Sequence, residues 1–129
     1  MYISVIMVPE VICQPSIMVD ITAPSGVLSS VVTDDTELGS ATCPWVIKAQ
    51  PGQRNNITLM DFSTHIPLDG ACQAYAIVRE KRPTHSQTIC RDRVRERHVY
   101  LSQGPTLEVR LIRSSNHNMN HFILIYQSK

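Results

Sequence analysis

Hydrophobic and polar residues alternate in short runs along most of the chain, and turn formers separate the runs. Near the middle, Trp45, Ile47 and Ala49 alternate with Val46, Lys48 and Gln50, and Ile57 and Leu59 alternate with Asn56, Thr58 and Met60. This is the period of strands that bury one face. Pro51-Gly52 lies between the two runs; Pro presets φ at the first central position of a type II turn and Gly accepts the positive φ of the second. Residues 17–21 and 27–32 are further β-branched runs with a turn signal at Ala23-Pro24-Ser25-Gly26. Residues 33–37 read as an acidic loop, 63–70 as a loop around Pro67, 73–79 as a strand and 80–86 as a charged turn around Pro83. Residues 94–101 and 106–112 flank Gly104-Pro105 in the manner of a hairpin. Leu107, Val109 and Leu111 would face inward there, with Glu108 and Arg110 outward. Residues 114–121 form an Asn- and His-rich loop, and Phe122, Leu124 and Tyr126 alternate along a closing strand. No segment carries a sustained helical period with caps at both ends, so the expectation is an all-β sandwich or barrel.

A length of 129 residues fits one domain with a real core. It is placed at residues 11–129, with 1–10 read as an N-terminal extension, either a strand or a remnant of upstream sequence. The apolar run 1–12 has no basic flank, is broken by Pro9-Glu10 and lacks a small-residue cleavage site. It therefore does not read as a signal peptide, and it is too short to span a bilayer. The net charge of +1 gives no overall field that would select nucleic acid or an anionic membrane. Cys13, Cys43, Cys72 and Cys90 are widely spaced with no Cys-x-x-Cys pair, which favours two disulfides over a metal site, in any of three connectivities. Buried free thiols are the alternative. Disulfides require an oxidising compartment. The chain is accordingly read as a piece of a longer secreted or membrane-anchored protein.

The order of motifs is informative. Cys43-Pro44-Trp45-Val46-Ile47, Gln50-Pro51-Gly52-Gln53-Arg54, Ile57-Thr58-Leu59 and Asp61-Phe62 are followed by Cys72, Cys90, Tyr100-Leu101-Ser102 and Phe122-Ile123-Leu124-Ile125-Tyr126. This series resembles a CUB domain from Cys13 to Gln127, although Arg91 stands where that family usually has Gly. The resemblance implies an antiparallel β-sandwich of jelly-roll type with two disulfides, Cys13 to Cys43 and Cys72 to Cys90. It also implies a non-catalytic extracellular module that binds a protein partner and uses no cofactor. Many CUB domains hold calcium through acids around the third cysteine and before the closing strand. Here those stretches read Gln73-Ala74-Tyr75-Ala76 and Ser114-Ser115-Asn116, leaving Asp69 with Asn116. Calcium takes six or more oxygens, usually with several carboxylates, so no tight site is expected.

Asn56-Ile57-Thr58 is a glycosylation sequon whose Asn and Thr would point outward from their strand. Arg91, Arg93, Arg95 and Arg97 recur with period two and would share one face of an extended segment. Arg79, Lys81 and Arg82 lie across the Cys72 to Cys90 bridge from them. Such a basic face suits sulfates or carboxylates, which makes a sulfated-glycan-binding domain the second reading. The plainer reading is a charged edge that discourages sheet-to-sheet pairing. His117 and His121 are four apart but have neither a helix signal nor a third ligand nearby. No nucleophile elbow, His-Glu-x-x-His helix or phosphate loop occurs, so no catalytic residue is assigned.

Overall fold

The computed structural model describes residues 19–63, 72–81, 84–92, 94–112 and 121–129. The elements are β1 (Val19–Ile21), β2 (Ser25–Ser29), α1 (Ser30–Thr36), β3 (Trp45–Lys48), β4 (Asn55–Asp61), β5 (Ala74–Lys81), β6 (Thr84–Cys90), β7 (Glu96–Leu101), β8 (Thr106–Leu111) and β9 (Phe122–Ser128). They form a β-sandwich. Sheet 1 runs β1-β3-β8-β5-β6 and sheet 2 runs β2-β9-β4-β7. One apolar core fills the space between them, with Ile47, Val78, Leu107 and Val109 from sheet 1 meeting Ile57, Leu59, Leu124 and Tyr126 from sheet 2. Strand alternation explains this arrangement, because every second residue of β4, from Asn55 to Asp61, is buried.

The pairing is not antiparallel throughout, as had been expected. β1 lies parallel to β3, Val19 opposite Trp45 and Ile21 opposite Ile47, so sheet 1 is mixed. The Pro51-Gly52 turn forms as read: the Gln53 N–H donates to the Gln50 carbonyl at 2.9 Å and Gly52 has φ +86°. It joins strands of different sheets.

Three further expectations are corrected. First, β2 stops at Ser29 and a short helix replaces the end of the expected strand and the acidic loop. The Ser29 side chain accepts from the Val31 N–H, and Glu37 closes the helix in the left-handed conformation. Side-chain oxygens offering hydrogen bonds to the backbone here outweigh the strand preference of Val31 and Val32. Second, the expected charged turn is mostly strand, because β5 continues to Lys81 and β6 starts at Thr84. Third, 94–101 and 106–112 do not form a hairpin. β7 pairs with β4 in sheet 2 and β8 with β3 and β5 in sheet 1, and Gly104-Pro105 carries the chain across the sandwich.

The Cys72–Cys90 disulfide forms as expected, closing the open end of the β5–β6 hairpin with Cα atoms 5.2 Å apart. It is the one bridge described with both its ends. Cys43 is fully buried and disulfide-bonded; the Cys13 expected as its partner lies outside the described residues, as do Asp69, Arg82, Arg93, Asn116 and His117.

Trp45 fixes the entry to β3. Gly39 has φ +85°, and a Cβ placed on it would stand 2.3 Å from Cζ3 of the Trp45 ring. The Gly39 carbonyl also accepts from the Leu111 N–H at 2.6 Å, so the backbone cannot easily retreat. Gly39→Ala combines a forbidden φ with a steric overlap and is expected to lower unfolding free energy by roughly 2–3 kcal/mol, measurable as a shifted urea midpoint at unchanged slope.

Candidate interaction surface

Sheet 1 carries a groove on its outer face. Val46 forms the floor of a groove of about 330 Å³, with Arg79, Lys81, Glu108, Pro105 and Thr106 around it. The strand register explains the set. Val46 faces Glu108 across β3 and β8, Arg79 faces Glu108 across β5 and β8, and Lys48 faces Thr106.

Glu108 belongs to the outward set, as its strand period requires, yet it is only 5% exposed. Arg79 and Arg110 cover it from either side, at 3.2 Å and 2.9 Å from its Oε2. Lys48 pairs with Asp20 at 3.0 Å, whereas the exposed Lys81 has no ion-pair partner among the described residues. The face thus presents four cations, Lys48, Arg79, Lys81 and Arg110, against two carboxylates, Asp20 and Glu108. An apolar floor under a rim with surplus positive charge suits an acidic group beside an apolar side chain.

The wall at Gly104 and Pro105 is held from inside the sandwich. Asn55 is fully buried, donates through Nδ2 to the Pro105 carbonyl at 2.8 Å, and gives its N–H to Ser102 Oγ at 2.7 Å. Glu80, only 2% exposed, accepts the Gln103 and Gly104 N–H groups at 3.0 Å and the Tyr100 hydroxyl. Burial on its own would raise the Glu80 pKa. The Tyr100 hydroxyl, the Gly104 and Gln103 N–H groups and the nearby His85 together outweigh burial and hold the carboxyl below its ordinary 4.5. The Tyr100 phenol is pushed up by burial first and then by Glu80.

A matching cluster stands at the other end of β5. The Tyr75 hydroxyl donates to Asp61 Oδ2 at 2.9 Å, while the Ser63 N–H donates to Oδ1 at 2.8 Å. Burial, followed by Asp61, pushes the Tyr75 phenol up to about 12 against the opposing Ser63 hydroxyl. The Tyr75 ring also stacks on Phe122, with centroids 4.1 Å apart.

The basic residues singled out in the sequence are dispersed. Arg91 is buried and donates to Gln73 Oε1 at 3.2 Å. Arg95 donates to the Asp61 and Ser63 carbonyls at 3.2 Å and 2.8 Å, and Arg97 to the Cys90 carbonyl. Of the described residues in that set, Arg79 and Lys81 border the groove. Asn56 is half-buried and lies on the outer face of sheet 2. His121 is exposed, and no three His, Cys, Asp or Glu residues converge on a metal-sized point among the described residues. Among the same residues no helix is long and apolar enough to cross a membrane. No family model matches the chain, and no curated protein matches it.

Sequence reasoning missed Val46 as a groove floor and Glu80 as a buried anchor. The available signal for Glu80 was its spacing from Ala76 and Val78, which continues the inward period of β5 through a residue that composition assigns to a turn.

Replacing Glu80 with Gln keeps the shape but removes the charge and puts an amide N–H₂, which cannot accept, where a carboxylate oxygen accepted. The variant is expected to lose about 1–3 kcal/mol of stability at neutral pH. Because the folded carboxyl titrates below 4.5, its contribution is complete above that pH and disappears as pH falls through the folded value. Urea titrations at a series of pH values should therefore show the gap between wild type and Glu80→Gln closing on the acid side.

Proposed function

We propose that this chain is a CUB-like, non-catalytic interaction module of a larger secreted or membrane-anchored protein, and that it binds an extracellular protein partner through the outer groove of sheet 1. The groove is the observation that carries the reading: it pairs an apolar floor with unspent positive charge on the outer face of sheet 1. The two-sheet sandwich, the Cys72–Cys90 bridge and the oxidised Cys43 support the extracellular setting. The motif order from Cys43 to Tyr126 supports the family resemblance, in which Cys13 would be the partner of Cys43.

The sulfated-glycan reading draws on Arg91, Arg93, Arg95 and Arg97. Arg91, Arg95 and Arg97 each give at least one guanidinium hydrogen bond to the protein itself, which leaves less of their capacity for sulfates and favours a protein partner.

Protein secreted from cells, with its bridges mapped by non-reducing peptide mass spectrometry, is the material for the test. Presented to an array of extracellular ectodomains, it is expected to bind a protein with an affinity that drops about tenfold in Lys81→Glu, or about 1.4 kcal/mol. Retention on heparin at physiological salt, lost when the four arginines become Ser, would carry the glycan reading instead. Four free thiols in folded protein would remove the extracellular premise.

A further inference from the structure

The outer face of sheet 2 carries an apolar stripe. Thr58 lies opposite Ile125 on β9, and Ile125 lies opposite Val27 on β2. In the adjoining rows Met60 is opposite Ile123, and Asn56 is opposite Leu101 on β7. Val27 is 55% exposed and Leu101 37%, and Met60, Ile123 and Ile125 are half-buried. Contiguous apolar surface of this kind is normally covered by something.

The sequon borders this patch: Asn56 lies between Leu101 on β7 and the exposed Gln127 on β9, and Thr58 lies between Ile125 and the exposed His98. Asn56 and Thr58 belong to the outward set of β4, and neither side chain has a hydrogen-bond partner among the described residues. The neighbouring Asn55 shows the contrast, since it is fully buried and its amide is spent on the Pro105 carbonyl. No other Asn-x-Ser/Thr occurs in the sequence. Neighbours across strands lie about 5 Å apart and same-face neighbours along a strand about 7 Å, so the first sugars on Asn56 would overlie Leu101, Thr58 and Gln127, with Ile125 next along β9.

We infer that Asn56 is an N-glycosylation site and that its glycan shields the apolar outer face of sheet 2, leaving the sheet 1 groove as the open face. The inference rests on the extracellular reading above. The donor class is an oligosaccharide linked through pyrophosphate to a polyprenyl lipid. Asn56 Nδ2 forms a bond to C1 of the first N-acetylglucosamine while the C1–O bond breaks. The lipid pyrophosphate leaves with the electron pair and the amide gives up one proton. No oxidant or reductant is needed.

The test uses the chain secreted from cells competent for glycosylation. Release of glycans by amidase in ¹⁸O-water is expected to convert Asn56 to ¹⁸O-labelled Asp in peptide mass spectra, with no label in Thr58→Ala. Secreted protein with its disulfides intact and Asn56 unmodified would overturn the proposal and leave the extracellular reading standing; free thiols would overturn both. For the shield, folded wild-type protein trimmed to a single sugar and the Asn56→Gln variant should each bind several-fold more bis-ANS than the fully glycosylated protein. Adding Val27→Ser and Leu101→Ser to Asn56→Gln should reverse the gain. Equal dye binding before and after trimming would overturn the shielding role.

Discussion

A carboxylate cannot remain charged inside a protein unless donors replace the water it has lost. Glu80 sits at the end of the inner face of β5, and the chain brings it three donors: the Tyr100 hydroxyl from sheet 2 and two backbone N–H groups from the crossing at Gln103 and Gly104. Satisfying this one group decides where the crossing runs and how the end of β7 meets β5. It also fixes the wall of the outer groove, because the same crossing supplies Pro105. The core supplies most of the energy of association between the sheets, but it is not directional. The carboxylate is directional, and it sets the sheets relative to each other at this end.

The other end of β5 repeats the device with the roles of the sheets exchanged. Asp61 on sheet 2 accepts from Tyr75 on sheet 1, whereas Glu80 on sheet 1 accepts from Tyr100 on sheet 2. Each tyrosine is delivered by an extra residue in its strand. The β5–β6 register shifts between Ala74 and Ala76, and the β4–β7 register shifts so that Tyr100 and His98 face Ile57 and Thr58. A bulge re-aims the side chains that follow it. That is how Tyr75 and Ala76 are both buried, and how Tyr100 turns inward although it is three residues from Arg97. Between these ends, side chains lace the open edge: Gln87 Nε2 donates to the Val99 carbonyl at 3.0 Å, and Arg97 donates to the Cys90 carbonyl. The edge strands β6 and β7 are thereby less available to another chain's strand.

Strand existence was legible because burial imposes period two wherever a strand has one covered face. The apolar inward residues of β4, β8 and β9 could be read one by one, whereas the buried Asn55 and Asp61 of β4 could not. What could not be read is set by contacts distant in sequence. Gly104-Pro105 looks the same whether it turns a hairpin or crosses a sandwich, and the choice is made by Asn55 and Glu80, which lie far upstream. The helix Ser30–Thr36 has β-branched residues that mask it, and its cap at Ser29 decides the matter locally. The period-two arginines show the limit of pattern reading most clearly: spacing places side chains on a face only if the segment is extended, and Arg91 and Arg95 lie outside the strands. The disulfide cysteines were legible as a chemical class, and the Cys72–Cys90 pairing came from resemblance.

The Cys72–Cys90 bridge, 18 residues apart in sequence, turns the β5–β6 hairpin into a closed covalent ring. With one end tied by the bridge and Lys81 paired with Thr84 at the other, its strands cannot slide past one another by a whole register step. In a sandwich, most pairings join distant parts of the chain and form slowly because loop closure comes first. Here the closure entropy of one hairpin is removed as soon as the sulfurs join. Both anchoring positions on β5, Tyr75 and Glu80, then lie within the ring. Oxidation of this pair would thus act on the order of folding as well as on final stability, preparing a template on which β8 pairs next.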